Sequence, residues 1–351
     1  MTATPATTTV LVTGGTGYLG RWCIRQLVHA GYPVRTTVRD RSVSAHLRSL
    51  ADDPSRISVC EADLRADGGW NEAVAGCDFV LHVASPFPST QPRNADDVIV
   101  PARDGTLRVL RAAFDAGVSR VVVTSSSAAV RNIGQDYARP LTENDWADPG
   151  NPRLSPYARS KLLAERAAWD YAARVGQTHR LAVINPGAII GPVIGGHRSY
   201  SLDTIERLLT GRAPAIPRLG FAFVDVRDVA ELHCRAMIAP QAAGQRFLGT
   251  GPFLWMADIA ALLRDRLGPD AAKVPKRIAP NALIRLIARF DANLRPVVGE
   301  LGLRSEYSNR KARDQLGWTP RPIGDSILDC AHSILRQSDV QSTTGCPANL
   351  P

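Results

Sequence analysis

The 351-residue sequence predicts an α/β fold built on a doubly wound parallel sheet, and three observations carry that reading. Short apolar runs alternate with amphipathic segments through the first 130 residues. The links between them are short. A glycine-rich turn joins the first apolar run to the first amphipathic segment. Strands alternating with helices in this way form parallel βαβ units, and the right-handed crossover rule fixes their hand.

Taken in order, Val10-Leu11-Val12 reads as a strand and Tyr18 to Ala30 as a helix stopped by Gly31 and Pro33. Val34 to Val38 is the second strand, Ile57-Ser58-Val59 the third, Phe79 to Val83 the fourth and Val121 to Thr124 the fifth. Trp70 to Val74 and Val98 to Ala116 have helical spacing, as does Ser155 to Ala173, which leads into a strand over Leu181 to Asn185. After Pro186 glycine and proline become frequent, and helical pieces such as Leu202 to Leu209 are set in irregular links. Phe223 to Met237 reads as a β-α element returning to the sheet, and Gln245 to Gln337 as helical with long links. The expected division is a nucleotide-binding domain over 8–186, joined again by 221–240. A smaller, mostly helical substrate lobe takes 187–220 and 241–337, and the termini 1–7 and 338–351 are expected to be flexible.

Composition narrows the class. An apolar fraction of 44% and a charged fraction of 21% suit a folded globular chain. The net charge of +9 rests on arginines spread along the whole chain, with Lys161, Lys273, Lys276 and Lys311 the four lysines. A nucleic-acid binder concentrates its charge on a stripe or tail, so that partner is not expected. The six cysteines form no C-x-x-C pair and no metal-like spacing. A reducing compartment, the cytoplasm, and no metal are therefore expected. The first nine residues lack a basic, apolar leader pattern. No run of about 18 apolar residues exists to span a membrane.

Thr13-Gly14-Gly15-Thr16-Gly17-Tyr18-Leu19-Gly20 lies between the first strand and the first helix. A dinucleotide diphosphate needs backbone N–H groups at a helix N-terminus, where the dipole favours negative charge. Gly14 permits the tight turn, Gly17 leaves room for phosphates, and Gly20 allows close helix–strand packing. Thr13, Gly14, Gly17, Tyr18, Leu19 and Gly20 are thus candidate cofactor contacts in a Rossmann-type domain. About twenty residues on, NAD enzymes place an acid on the ribose. Here the second strand ends in Arg39, whose guanidinium suits a 2′-phosphate and favours NADPH. Asp40, the next residue, is the rival that would hold the ribose of NAD.

Tyr157-Ala158-Arg159-Ser160-Lys161 carries the chemistry. Positions i and i+4 share a helix face, so the Tyr157 hydroxyl and the Lys161 ammonium can serve one site. Free tyrosine titrates at about 10, and a nearby ammonium should lower that value. Tyr157 then acts as acid in reduction and base in oxidation, while Lys161 also holds the nicotinamide ribose. A third group, a hydroxyl stabilising charge on the substrate oxygen, comes from Ser125-Ser126-Ser127 at the end of the fifth strand, with the register open.

The series T-G-G-T-G-Y-L-G, T-V-R-D, A-D-L, H-V-A-S-P, T-S-S-S, Y-A-R-S-K, N-P-G resembles the extended short-chain dehydrogenases/reductases over about residues 8 to 335. Within them it is most similar to the dihydroflavonol reductase-like and aldehyde/ketone reductase branch. Phe223 to Ala230 looks like that branch's late strand–helix element, and Ala312 to Pro320 its closing segment. The resemblance implies hydride transfer between NADPH and a small carbonyl or alcohol substrate, by a monomer or homodimer. It places the catalytic serine at Ser126, with Ser127 the runner-up. It further implies cofactor contacts from Asp63 and Leu64, Val83, Ala84 and Ser85, and from Pro186 and Gly187 beside the nicotinamide.

Three departures bear on substrate. Arg131 stands where plant dihydroflavonol reductases carry a substrate-binding Asn. The tyrosine motif lacks the neighbours typical of cinnamoyl-CoA reductases. No Thr-Asp-Glu of the sugar-nucleotide dehydratase kind occurs near Ser125. Ile194 to Leu209 and Phe221, in the expected substrate lobe, carry no readable motif. The same fold also houses NAD-dependent hydroxysteroid-type dehydrogenases and sugar-nucleotide epimerases. A non-catalytic NADP sensor would be expected to lose the Tyr157/Lys161 pair, which is intact here.

Overall fold

A computed structural model describes residues 5–86, 94–135, 137–195, 200–290 and 298–344. The alternating apolar runs become strands β1 (Val10–Thr13), β2 (Val34–Val38), β3 (Ile57–Glu61), β4 (Phe79–His82), β5 (Arg120–Thr124) and β6 (Leu181–Pro186). Between them run helices α1 (Tyr18–His29), α2 (Ser44–Arg48), α3 (Trp70–Val74), α4 (Asp96–Asp115) and α5 (Pro156–Arg174). Period-two alternation feeds both faces of the sheet. Val10, Val12, Leu81, Val122 and Ile184 join the core beneath α1. Leu11, Val80, Val121, Val123 and Val183 join the core beneath α3, α4 and α5.

All seven strands of the main sheet are parallel, and the seventh is β10 (Gln245–Gly249), paired with β6 from Gln245 opposite Ala182 to Gly249 opposite Pro186. The order β10-β6-β5-β4-β1-β2-β3 reverses between β1 and β4. At such a switch point the carboxyl ends of the strands open a crevice for a ligand.

The second lobe begins with β7 (Ala188–Ile190), α6 (Tyr200–Leu209), β8 (Ile216–Pro217) and β9 (Gly220–Asp225), which leads into α7 (Val226–Ile238). It continues after β10 with β11 (Phe253–Trp255), α8 (Met256–Leu267), β12 (Ile278–Ala279), α9 (Asn281–Ile287), α10 (Arg310–Leu316) and α11 (Ile323–Thr344). Leu202, Phe223, Met256, Trp318 and Ile327 belong to the same core cluster as Val10 and Val12, so lobe and sheet share one interior. The Trp318 indole, fully buried, donates to Asp228 O at 2.7 Å and pins the chain after α10 onto α7.

Three expectations need correction. β9 does not return to the main sheet but lies between β7 and β11 in a three-stranded sheet. α7, the other half of the 221–240 element, does pack on the main sheet beside α1. The span 241–337 is not wholly a separate lobe, because β10 closes the edge of the main sheet. Its sequence, Gln-Arg-Phe-Leu-Gly, hides this by burying an arginine. The C-terminal stretch continues α11 to Thr344, and Pro5–Thr7 forms a 3-10 turn. The remainder of the expected flexible termini, 1–4 and 345–351, lies outside the described residues. Among the described residues no helix is long and apolar enough to cross a membrane.

Candidate active site

The glycine-rich turn follows β1 at the switch point. Gly14 takes φ +71, the left-handed region, and a Cβ there would stand 2.8 Å from Ala84 Cα. The segment Val83-Ala84-Ser85 therefore lies directly against the turn. A Cβ on Gly20 would stand 2.2 Å from Gly14 O, so this glycine serves the turn's own closure rather than helix–strand packing. Gly17 is the N-cap of α1, without a side-chain cap and with no acidic residue in the first turn. The side chains of Tyr18 and Leu19 are buried. What they offer a ligand is the uncapped N–H groups of a helix start, a fit for a diphosphate.

Thr13 holds this turn to the next strand. Its hydroxyl oxygen accepts from Ala84 N–H at 3.1 Å and lies 2.8 Å from His82 Nδ1. His82 is buried, and desolvation, aided by the Lys161 charge, pushes its pKa down to about 3, so the ring is neutral. Its Nε2 faces the Thr106 hydroxyl at 3.3 Å, and that hydroxyl spends its proton on Ala102 O at 2.8 Å. Nε2 therefore carries the ring hydrogen and Thr13 donates to Nδ1.

Arg39 is exposed at the end of β2. The Asp40 carboxylate accepts from the Ser42 N–H at 2.8 Å and the Ser42 hydroxyl at 2.7 Å, and these bonds hold its pKa down. It caps the following turn. Asp63, just past the neighbouring β3, is paired with Arg65 at 2.7 Å. Its pKa is lowered chiefly by that bond, with a smaller contribution from Arg39. Arg39 and Asp63 thus share one end of the crevice. Leu64 packs against Gly105 of α4, where a Cβ would meet it at 2.7 Å. Pro186 ends β6, and Gly187 admits β9, since a Cβ there would lie 2.2 Å from Ala222 O.

The serine register resolves into three separate partners. The Ser125 hydroxyl donates to Glu165 Oε2 at 2.5 Å. Ser126 is hydrogen-bonded to the Tyr157 hydroxyl, and its oxygen accepts from Ala128 N–H at 3.1 Å. Ser127 is hydrogen-bonded to Tyr307. Ser125 and Ser126 both meet the helix that carries Tyr157 and Lys161, but only Ser126 meets Tyr157 itself. Ser155 starts that helix by accepting from Ala158 N–H at 3.1 Å, with Pro156 at its first position.

Electrostatics differ from expectation at Tyr157. Desolvation pushes its phenol above the ordinary value, and the Ser126 bond opposes this. Lys161 spends its ammonium elsewhere, donating to Thr124 O at 3.1 Å. It is buried, and desolvation brings its pKa down to about 8, with Glu165 pulling the other way.

Sequence reasoning passed over Glu165. It sits four residues beyond Lys161 and is 1% exposed. Besides Ser125, its Oε2 accepts from Asn185 Nδ2 at 2.7 Å and Arg246 Nη2 at 3.3 Å, and Arg246 Nε lies 2.8 Å from Oε1. Lys161, Glu165, Ser125 and His82 line one small cavity. The i+4 spacing from Lys161 was the available signal; Arg246, 81 residues away, gave none. Arg131 is likewise pinned, by Glu300 and by donating to the Ser305 hydroxyl at 3.1 Å.

The profile of the NAD dependent epimerase/dehydratase family matches residues 10–248, more than half of the chain. The chain belongs to that family. Cinnamoyl-CoA reductase 1 of Oryza sativa subsp. japonica is 37% identical over 261 residues, 73% of this chain and 75% of its own length. Dihydroflavonol 4-reductase of Hordeum vulgare is 32% identical over 352 residues, 97% of this chain and 92% of its own. The crystal structure of Gre2 from Candida albicans in complex with NADPH superposes with TM-score 0.76 and 26% identity, covering 94% of this chain and 99% of that one. This family member is an extended short-chain dehydrogenase/reductase of the dihydroflavonol reductase-like branch, an NAD(P)-dependent reductase. Cinnamoyl-CoA reductases, which the tyrosine motif had set apart, stand among its relatives.

Proposed function

We propose that this chain is an NADPH-dependent reductase of small aldehydes or ketones, with Tyr157, Ser126 and Lys161 as its catalytic residues. The observation that carries the reading is the hydrogen bond between Ser126 and Tyr157 at the carboxyl end of β5, one helical turn from Lys161. When bound, NADPH supplies the hydride that the carbonyl carbon accepts. Tyr157 donates its phenolic proton to the substrate oxygen. Ser126 donates a hydrogen bond to the same oxygen as charge builds there. A phenol held high by burial is a proton donor at neutral pH; Lys161, one turn along the same helix, is given the task of holding the nicotinamide ribose.

The uncapped start of α1 suits the diphosphate, and Arg39 suits a 2′-phosphate because its rival Asp40 is occupied in capping. The Candida albicans Gre2 structure, which holds NADPH, supports that choice. Pro186 and Gly187, at the carboxyl end of β6, fit the nicotinamide end. The test is a panel of aldehydes and ketones followed by cofactor absorbance, with NADPH and NADH in parallel. Turnover with carbonyls and a preference for NADPH are expected. No turnover of any carbonyl, or faster turnover with NADH, would overturn the assignment.

A further inference from the structure

The cofactor reading uses the glycine turn and Arg39 but leaves Arg21 without a task. Arg21 is the fourth residue of α1, and it is 6% exposed. Its Nε donates to Thr16 O at 3.0 Å, which lays the guanidinium along the glycine-rich turn. Its Nη1 is buried and, among the described residues, has no hydrogen-bond partner. Among the described residues no carboxylate pairs with it, whereas the deeply placed Arg131 and Arg246 pair with Glu300 and Glu165. A buried charge without a counterion is costly to the fold.

The backbone of Gly195 lies directly against Nη1. The point that a Cβ on Gly195 would take lies 2.3 Å from Arg21 Nη1 and 3.4 Å from His46 Nε2. Two nitrogen groups, one from α1 and one from α2, converge there. The adjoining helix start has neither a side-chain cap nor an acidic residue in its first turn. The two polar atoms nearest this point are both nitrogens; an anion would satisfy the orphan nitrogen and neutralise the guanidinium together.

We infer that Arg21 anchors a phosphate group of the bound dinucleotide, with His46 beside it. The inference rests on the dinucleotide reading given above. Two phosphates of NADPH share the required chemistry, the diphosphate bridge and the 2′-phosphate, and the experiment separates them.

Arg21→Met and Arg21→Gln are made in the full chain, and dissociation constants for NADPH, NADH and 2′,5′-ADP are measured by calorimetry. Loss of a charge-assisted bond should weaken binding by about tenfold to a hundredfold. A loss shared equally by NADPH and NADH assigns the diphosphate. A loss for NADPH and 2′,5′-ADP that spares NADH assigns the 2′-phosphate. Binding of all three ligands within about twofold of wild type in both variants overturns the inference. Each variant removes an unpaired buried charge, so each should melt at or above the wild-type temperature. The wild-type protein itself should melt higher in inorganic pyrophosphate, and an unchanged melt overturns the inference whatever the variants do. Tighter wild-type binding of NADH than of NADPH removes the NADPH reading, while the NADH arm still judges Arg21.

Discussion

Glu165→Gln is the perturbation whose consequences follow most directly from the geometry. The glutamate is 1% exposed, and the Arg246 side chain it faces is 8% exposed. Glutamine keeps an oxygen for Ser125 and Asn185 but leaves the guanidinium without a counter-charge. Breaking one side of a buried ion pair costs about 3–5 kcal/mol. The retained hydrogen bonds place this variant near the lower end, about 3 kcal/mol. The double variant Glu165→Gln/Arg246→Met removes both charges and should recover most of the loss.

The same substitution acts on Lys161. Its pKa of about 8 in the folded protein lies below the ordinary 10.5, because burial outweighs the pull of Glu165. The unfolded chain therefore binds the extra proton between about 8 and 10.5, and this lysine's contribution makes stability rise with pH across that window. Removing the Glu165 charge lowers the folded value further and opens the window from a lower pH. Urea unfolding at pH 7, with stability then followed from pH 6 to 10, reads both effects. A Glu165→Gln protein within about 0.5 kcal/mol of wild type, with an unmoved pH profile, would refute the reasoning, since that is the ordinary scatter of surface substitutions.

Three other outcomes are expected. Ser126→Ala should lower kcat about tenfold to a thousandfold, whereas Ser127→Ala, which loses only its bond to Tyr307, should cost about 1 kcal/mol of stability and little rate; equal kinetic losses in steady-state assays would contradict the assigned register. Arg39→Ala should weaken NADPH by about tenfold or more and leave NADH nearly unchanged, a difference read by fluorescence titration and absent if Arg39 is merely solvated. Gly20→Ala places a Cβ 2.2 Å from Gly14 O, so the turn must shift; dinucleotide binding should be lost in a protein that still unfolds cooperatively, and normal affinity would show the turn to be pliable.

The nucleotide-binding half was legible because its information is local. Each of β1 to β6 is a short apolar run whose alternate residues enter opposite cores, as Val10 and Leu11 do. That Tyr157 and Lys161 share one helix was legible from their spacing alone. β10 was not, because its Arg246 is buried for the sake of Glu165 on another element. The destination of β9 was hidden for a related reason: apolar alternation marks a strand but does not name the sheet it joins. The serine register lay open until the folded chain gave Ser125, Ser126 and Ser127 different partners, all of them distant in the sequence. Arg21 reads as an ordinary helix cation until its burial is known. In each case the missing information is a non-local pairing.

Tyr157→Phe tests the chemistry most directly, because it removes one oxygen and leaves the ring's packing in place. Cofactor affinity and single-turnover carbonyl reduction are measured on the same preparation. NADPH should bind within about threefold of wild type, while the hydride-transfer rate falls about a hundredfold to ten-thousandfold. A variant that binds NADPH normally and reduces carbonyls at the wild-type rate would contradict the role given to that phenol.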